Sequence, residues 1–186
     1  LHAHGIAHRF VNTGSIYVTS RGHAQLHDMR YARMMSGQRF FSVCGLPTYL
    51  APEMVCQQGF NHAADLWALG VVLFELLFDG KHPLTGVQHT SPPELILSAV
   101  ARYSGPHELN WSATATSIQK SLLSGMLQVR PRDRLGYAEP GALLDHPFFS
   151  GVLDSGVSGQ VTNLSSTLQQ KPEPAVSGSA PGLDGF

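Results

Sequence analysis

Residues 66–78 constrain the fold of this chain more than any other segment, because they are apolar on nearly every face of a helix. The segment is shorter than the roughly 20 residues that a membrane span needs, and it contains Glu75. The pattern therefore predicts a buried helix, with Asp65 as its N-cap and an end near Asp79 and Gly80. A helix of this kind belongs in the middle of a helical domain.

The part of the chain before this helix has the pattern of a β-hairpin followed by a long loop. Two short apolar runs, residues 16–18 and 24–26, flank a turn at residues 20–22, which predicts two paired strands. Residues 31–45 have no hydrophobic period, and prolines follow them, so a long loop is expected there. Loops of this length are usually either functional or disordered.

After the central helix the pattern predicts further helices and then a tail. The three expected helices are residues 93–103, 113–128 and 141–146. From residue 151 the composition changes to Ser, Gly, Gln and Pro, which bury too little surface to order a chain. We therefore predict one domain, residues 1–150, and a disordered tail, residues 151–186.

Composition limits the partners and the cellular compartment that we expect. Charged residues make up 13% of the chain, against about 25% in an average soluble domain, and the formal net charge is -1. This balance predicts no nucleic-acid partner, and no segment has the length of a membrane anchor. Cys44 and Cys56 are the only cysteines, which is typical of a reducing, intracellular setting such as the cytoplasm. The sequence has neither an initiator methionine nor a leader, so we expect it to be a piece of a longer protein.

Four motifs in order carry a resemblance to a known family. Residues 6–18, I-A-H-R-F-V-N-T-G-S-I-Y-V, resemble the protein-kinase catalytic loop H-R-D-L-x-x-x-N, and Asp28 follows where the kinase magnesium-binding aspartate belongs. L-A-P-E at 50–53, A-D-L-W-A-L-G at 64–70 and R-P-R-D-R-L-G at 130–136 resemble later kinase motifs. The resemblance implies a protein kinase-like α+β fold. Only the C-terminal lobe would be present, mainly α-helical with a short β-hairpin near the N-terminus.

Within the kinases, the sequence is most similar to the AGC group and its cyclic-nucleotide-dependent serine/threonine kinases. The residues that carry this similarity are C-G-L-P-T-Y-L-A-P-E at 44–53, R-L-G at 134–136 and H-P-F-F at 146–149. The resemblance implies ATP and magnesium as cofactors and protein partners or substrates. The family's glycine-rich loop, strand lysine and helix glutamate do not occur in these residues, so half of the implied ATP cleft is outside them.

The catalytic loop departs from the family at the positions that carry its chemistry. Phe10 occupies the position of the aspartate that accepts the substrate proton, and an aromatic ring has no lone pair for that role. Asn12 replaces the loop lysine, and Ser15 replaces the asparagine that binds the second magnesium. We therefore predict a catalytically impaired site.

The implied nucleotide site is also altered. Arg30 follows Asp28 closely, so it either pairs with this carboxylate in place of magnesium or points into solvent. Tyr17 occupies the position of a small aliphatic residue beneath the adenine in the family. Asp28 is the one remaining candidate ligand for magnesium and nucleotide, and we expect weak ATP binding or none.

Other family positions match the scaffold of a kinase lobe. The resemblance implies an ion pair between Glu53 and Arg134, and it gives Asp65 the role of accepting backbone hydrogen bonds from the loop that contains His8. These residues are expected to be structural.

Two further positions match regulatory or peptide-reading residues of the family. Ser42 resembles an activation-loop phosphosite with Arg9 as its phosphate partner, and an unmodified serine is the alternative. Glu75 aligns with an acidic residue that basophilic kinases use to read a substrate arginine.

Three hypotheses about function remain open. The first is a pseudokinase that acts as a binding or regulatory module. The second is a divergent ATP-dependent serine/threonine kinase that an upstream N-lobe completes. The third is a decayed gene product without a selected function.

Overall fold

The computed structural model describes residues 1–150, and the predicted tail at 151–186 lies outside the described residues. The described part contains four short strands and five α-helices. In chain order these are β1 (Ile6–Ala7), β2 (Ile16–Val18), β3 (Ala24–Leu26), β4 (Arg33–Met34), α1 (Pro52–Val55), α2 (Ala63–Leu77), α3 (Pro93–Arg102), α4 (Ser117–Met126) and α5 (Gly141–Leu144). The helices outweigh the strands, as predicted.

Helix α2 is the buried helix that the sequence predicts, and it forms the centre of the core. Trp67, Val71 and Phe74 are almost fully buried within it. Gly70 lets α4 approach closely, because a Cβ there would lie 3.0 Å from the side chain of Leu127. The predicted N-cap is wrong, since the helix begins at Ala63 and Asp65 lies within its first turn. The carboxylate of Asp65 instead accepts hydrogen bonds from the loop between β1 and β2.

The predicted hairpin is confirmed, whereas a second strand pair was missed. Strands β2 and β3 pair antiparallel, with Ile16 opposite Leu26. Strands β1 and β4 also pair antiparallel, with Ile6 opposite Met34. Two-residue strands have no alternating pattern, so sequence reasoning assigned β4 to the long loop. The loop is further tied down by a bridge between Phe40 and Phe60.

The three later helices are confirmed but shorter than predicted. The clearest difference is at α4, which begins at Ser117 rather than near residue 113. Thr116 caps it: its hydroxyl accepts a hydrogen bond from the Gln119 N–H at 3.2 Å, and Gln119 Oε1 accepts one from the Thr116 N–H at 2.9 Å. This capping box fixes the start of the helix. Helix α4 packs against α2, and α3 packs against α1 and residues 47–49. The N-terminal turn of α2 lies next to the loop between β1 and β2.

Candidate functional site

The loop between β1 and β2 is held by the first turn of α2. The backbone N–H groups of His8 and Arg9 donate to the two carboxylate oxygens of Asp65 at 2.8 and 2.7 Å. Nε2 of His2 lies 2.8 Å from one of the same oxygens. Asp65 is buried, so these contacts satisfy a charge that would otherwise be costly. The loop therefore has a fixed position above the central helix.

The residues at the family's catalytic positions bond to one another within this loop. The Asn12 side-chain amide donates to the Phe10 carbonyl at 2.8 Å. The Ser15 hydroxyl accepts from the Asn12 N–H at 3.0 Å and donates to the Asn12 carbonyl at 2.8 Å. The Phe10 ring packs against Tyr31, with 4.9 Å between the ring centroids. The polar atoms of Asn12 and Ser15 are thus turned into the loop.

Asp28 lies just after β3, next to the loop, and Arg30 engages its carboxylate at two points. Nε of Arg30 donates to Oδ1 at 2.6 Å, and an Nη donates to Oδ2 at 2.7 Å. The Arg30 guanidinium holds the pKa of Asp28 below its ordinary value. The Arg30 side chain is 67% exposed, so the two alternatives coexist: it pairs with Asp28 while facing solvent.

The carboxylate of Asp28, the candidate ligand for the magnesium that the resemblance implies, is engaged by Arg30 in this structure. Both oxygens of Asp28 already bind Arg30, and the Ser15 hydroxyl faces Asn12. Tyr17 is 58% exposed, and its ring meets the His27 ring edge-on at 4.7 Å.

Arg9 connects the loop to the segment that follows β4. One of its Nη atoms donates to the Ser42 carbonyl at 2.7 Å and to the Ser42 hydroxyl at 3.0 Å. Its guanidinium also lies 4.8 Å from the centre of the Phe40 ring. The structure thus brings together the two residues that the sequence analysis paired, through the unmodified serine.

Glu53 and Arg134 join two distant parts of the chain. Two Nη atoms of Arg134 donate to the two Glu53 carboxylate oxygens at 2.7 and 2.6 Å. Both side chains are buried. Arg134 also donates to the carbonyls of Ala63 and Gln128 at 2.8 and 2.9 Å, so it anchors the start of α2 and the end of α4 together.

Glu75 lies in a polar cluster that sequence reasoning recognised only in part. The Tyr49 hydroxyl donates to Oε2 of Glu75 at 3.0 Å, and Nε2 of His89 lies 3.0 Å from Oε1 without hydrogen-bond alignment. Burial raises the pKa of Glu75 to about 7. Burial lowers the pKa of neighbouring His82 to about 4. No local sequence pattern indicates Tyr49 and His89, because the fold brings them to Glu75 from other segments.

No helix among the described residues has the length and apolar character that crossing a membrane requires.

Comparison with known proteins supports the resemblance. The family model of the protein kinase domain matches residues 1–149. Serine/threonine-protein kinase 36 of Mus musculus is 35% identical over 153 residues, which cover 81% of this chain and 11% of that protein. Ribosomal protein S6 kinase 2 alpha of Gallus gallus is 33% identical over 156 residues, covering 82% of this chain and 20% of that protein.

A third relative belongs to the cyclic-nucleotide-dependent kinases. cGMP-dependent protein kinase 2 of Homo sapiens is 28% identical over 174 residues, covering 92% of this chain and 22% of that protein. The chain spans less than a quarter of the length of each of these three relatives. The predicted similarity and the predicted fold class are confirmed.

Proposed function

The chain belongs to the protein kinase family, and we propose that it acts as a catalytically impaired serine/threonine kinase-like lobe, a binding or regulatory module. The observation that carries this proposal is the two-point contact between Arg30 and Asp28. A guanidinium on both oxygens of the magnesium-binding position supplies positive charge there without a metal. Asp28 is then a structural residue of the loop.

The catalytic loop supports the same conclusion. Phosphoryl transfer by this family needs a carboxylate that accepts the proton of the substrate hydroxyl. Phe10 occupies that position, and its ring packs on Tyr31. Loss of a general base typically lowers a rate by a factor of roughly 10² to 10⁴. The Asn12 amide donates to the Phe10 carbonyl and the Ser15 hydroxyl to the Asn12 carbonyl. Neither an amide nor a hydroxyl has the basicity of the missing carboxylate.

The scaffold contacts that the resemblance implies are present, and they favour a folded module with protein partners. Asp65 anchors the loop, and the pair of Glu53 and Arg134 ties the lobe together. We take residues 1–150 as the kinase-like unit. An intracellular location, such as the cytoplasm, suits Cys44 and Cys56, which are free thiols.

A divergent ATP-dependent kinase is the second candidate, in which upstream residues supply an N-lobe and another group replaces the base. The contact between Arg9 and Ser42 favours it, because a serine beside an arginine is ready for regulation by phosphorylation. A decayed gene product is the third. Failure of the chain to give soluble, cooperatively folding protein would favour that third candidate.

Magnesium-dependent ATP binding separates the first two candidates. We expect the longest natural form of the protein to gain no thermal stability from ATP with magnesium over magnesium alone. A working site with ligand at one hundred times its Kd would add about 2.7 kcal/mol, which a thermal shift detects easily. Calorimetric titration of the same protein provides a second readout.

Two matched variants accompany this measurement: Asp28→Asn is the test variant, and Asp79→Asn is its control. Asp28 has a left-handed backbone, with φ of 61°, and the exposed Asp79 has a similar φ of 55°. Asn tolerates this conformation better than Ala, so Asp28→Asn and Asp79→Asn change one charge each without added strain. Stabilisation of the wild type that Asp28→Asn abolishes and Asp79→Asn retains would overturn the proposal. A phosphotransfer assay would then follow.

A further inference from the structure

A groove of about 420 Å³ lies away from the catalytic-loop region, beside the pair of Glu53 and Arg134. The long loop, the segment before α2 and the late arginine motif meet there. The residues that define its character are Arg39, Phe60, Arg130, Pro131, Arg132 and Tyr137. We call it the arginine groove.

The arginine groove has an excess of unpaired positive charge. Arg39, Arg130 and Arg132 are exposed, and within residues 1–150 no carboxylate lies in ion-pair contact with any of them. The side chain of Arg39 donates to the Gln58 carbonyl at 3.0 Å. Glu53 is the acidic residue of the lining, and Arg134 already neutralises it. A ligand in the groove would meet guanidinium groups whose N–H donors are available for further hydrogen bonds.

We propose that the arginine groove binds an acidic segment of a partner protein, with its carboxylate or phosphate oxygens on Arg39, Arg130 and Arg132. This inference rests on the proposed role as a binding module. Guanidinium groups suit such oxyanions, because their planar donors bind them at two points. The volume suits a few residues of peptide, since ligand pockets span roughly 300–1,000 Å³. Nucleic acid would need a wider basic surface than a chain of net charge -1 provides.

The arginine groove is joined to the loop that carries Ser42. Arg39 precedes Phe40, whose backbone N–H and carbonyl pair with those of Phe60 at 2.8 and 2.9 Å. The Phe40 ring lies 4.8 Å from the guanidinium carbon of Arg9, which holds Ser42. A partner bound to Arg39 would therefore stabilise the same segment that Arg9 contacts. Occupancy of the groove should protect this segment from proteolysis.

Peptide binding to the full chain tests the proposal. Fluorescence anisotropy would compare a short Asp- and Glu-rich peptide with its Asn- and Gln-containing counterpart, and with a version that carries phosphoserine. The test variant is Arg130→Gln with Arg132→Gln. The control is Arg21→Gln with Arg102→Gln, two exposed arginines on the hairpin turn and at the end of α3 that change the net charge equally.

We expect the acidic peptide to bind and the neutral peptide not to bind. The test variant should weaken binding about tenfold or more, and the control less than about twofold, because charge-assisted contacts are local. Tighter binding of the phosphoserine peptide would assign phosphate as the preferred oxyanion, and equal binding would assign carboxylates. Circular dichroism and the thermal midpoint of each variant would verify folding.

Several results would overturn the proposal. Equal weakening by both variant pairs would mean that net charge alone attracts the peptide. Binding of inorganic phosphate without binding of either acidic peptide would mean a small-anion site. The outcome is independent of the magnesium and ATP measurement, which depends on Asp28, so failure of the arginine groove and failure of the proposed function are distinguishable.

Discussion

At the scale of single residues, a few side chains determine which chemistry the lobe can offer. In the proposed assignment, Phe10 stands at the position of the family's base and Arg30 binds the carboxylate at the position of its metal ligand. By resemblance, Glu75 aligns with an acidic residue that basophilic kinases use to read a substrate arginine, and in this structure Tyr49 and His89 contact it. A peptide arginine would therefore have to displace His89 before it could reach the carboxylate.

The raised pKa of Glu75 predicts a pH-dependent cost to stability. The ordinary pKa of 4.5 rises to about 7 in the fold, so the folded state binds a proton more tightly than the unfolded state. Stability from this group is full below about pH 4.5 and falls as pH rises towards 7. We expect Glu75→Gln to remove this decline, so the variant gains on the wild type across that window in urea-unfolding experiments.

His82 contributes to the pH dependence of stability with the opposite sign. Its contribution is present in both the wild type and Glu75→Gln, so it cancels in the difference between them. His82 has a lowered pKa of about 4, so its stability contribution is lost as pH falls from 6.5 towards 4. Glu94→Gln removes an exposed carboxylate and is the control for the loss of one charge. A Glu75→Gln difference that is constant with pH would contradict the raised pKa.

At the scale of elements, α2 organises the site because one of its side chains binds another element's backbone. Asp65 does not cap α2. Its carboxylate accepts hydrogen bonds from the backbone N–H groups of two consecutive loop residues, His8 and Arg9. Arg9 adopts a left-handed backbone at this point, with φ of 66°. The loop conformation thus depends on the helix that packs beneath it.

Asp65→Asn should loosen the loop without unfolding α2. Asn can accept one of the two backbone hydrogen bonds but presents an N–H group to the other, so we expect a loss of roughly 2–4 kcal/mol. Hydrogen exchange at the His8 and Arg9 amides should accelerate more than exchange in the middle of α2. Asp79→Asn, on the exposed turn after α2, should change stability by no more than about 0.5 kcal/mol. Unchanged protection of both loop amides would refute the anchoring role.

At the scale of the whole molecule, one buried ion pair connects segments that are far apart in the chain. Glu53 lies in α1, and Arg134 lies beyond α4. Arg134 also binds carbonyls at the start of α2 and just after α4, so three segments converge on one guanidinium. The arginine groove lies beside this junction.

Glu53→Gln should destabilise the lobe by roughly 3–5 kcal/mol, because it leaves the buried charge of Arg134 uncompensated. The double change Glu53→Leu with Arg134→Met should not restore stability, since the carbonyls of Ala63 and Gln128 would lose their donor. Denaturant unfolding measures both, with the exposed Glu139→Gln as the control. Wild-type stability in the double variant would show that the guanidinium contributes only through Glu53.

The sequence by itself determined the central helix, the hairpin, the later helices and the family. The reason is that hydrophobic periodicity, turn residues and motif spacing are local or ordered along the chain. By resemblance, those same motifs predicted Phe10, Asn12 and Ser15 as departures from the family and Asp28 as the remaining carboxylate. They also paired Glu53 with Arg134 and Ser42 with Arg9 by resemblance.

Only the tertiary structure decided which groups meet across distance. The pairing of β1 with β4, the contact of His89 with Glu75 and the arginine groove join segments that no periodic pattern connects. The role of Asp65 was also decided by the tertiary structure, because a carboxylate near the start of a helix could equally well cap that helix. Burial beneath the loop decided its role, because a buried carboxylate binds whichever donors the packing brings to it.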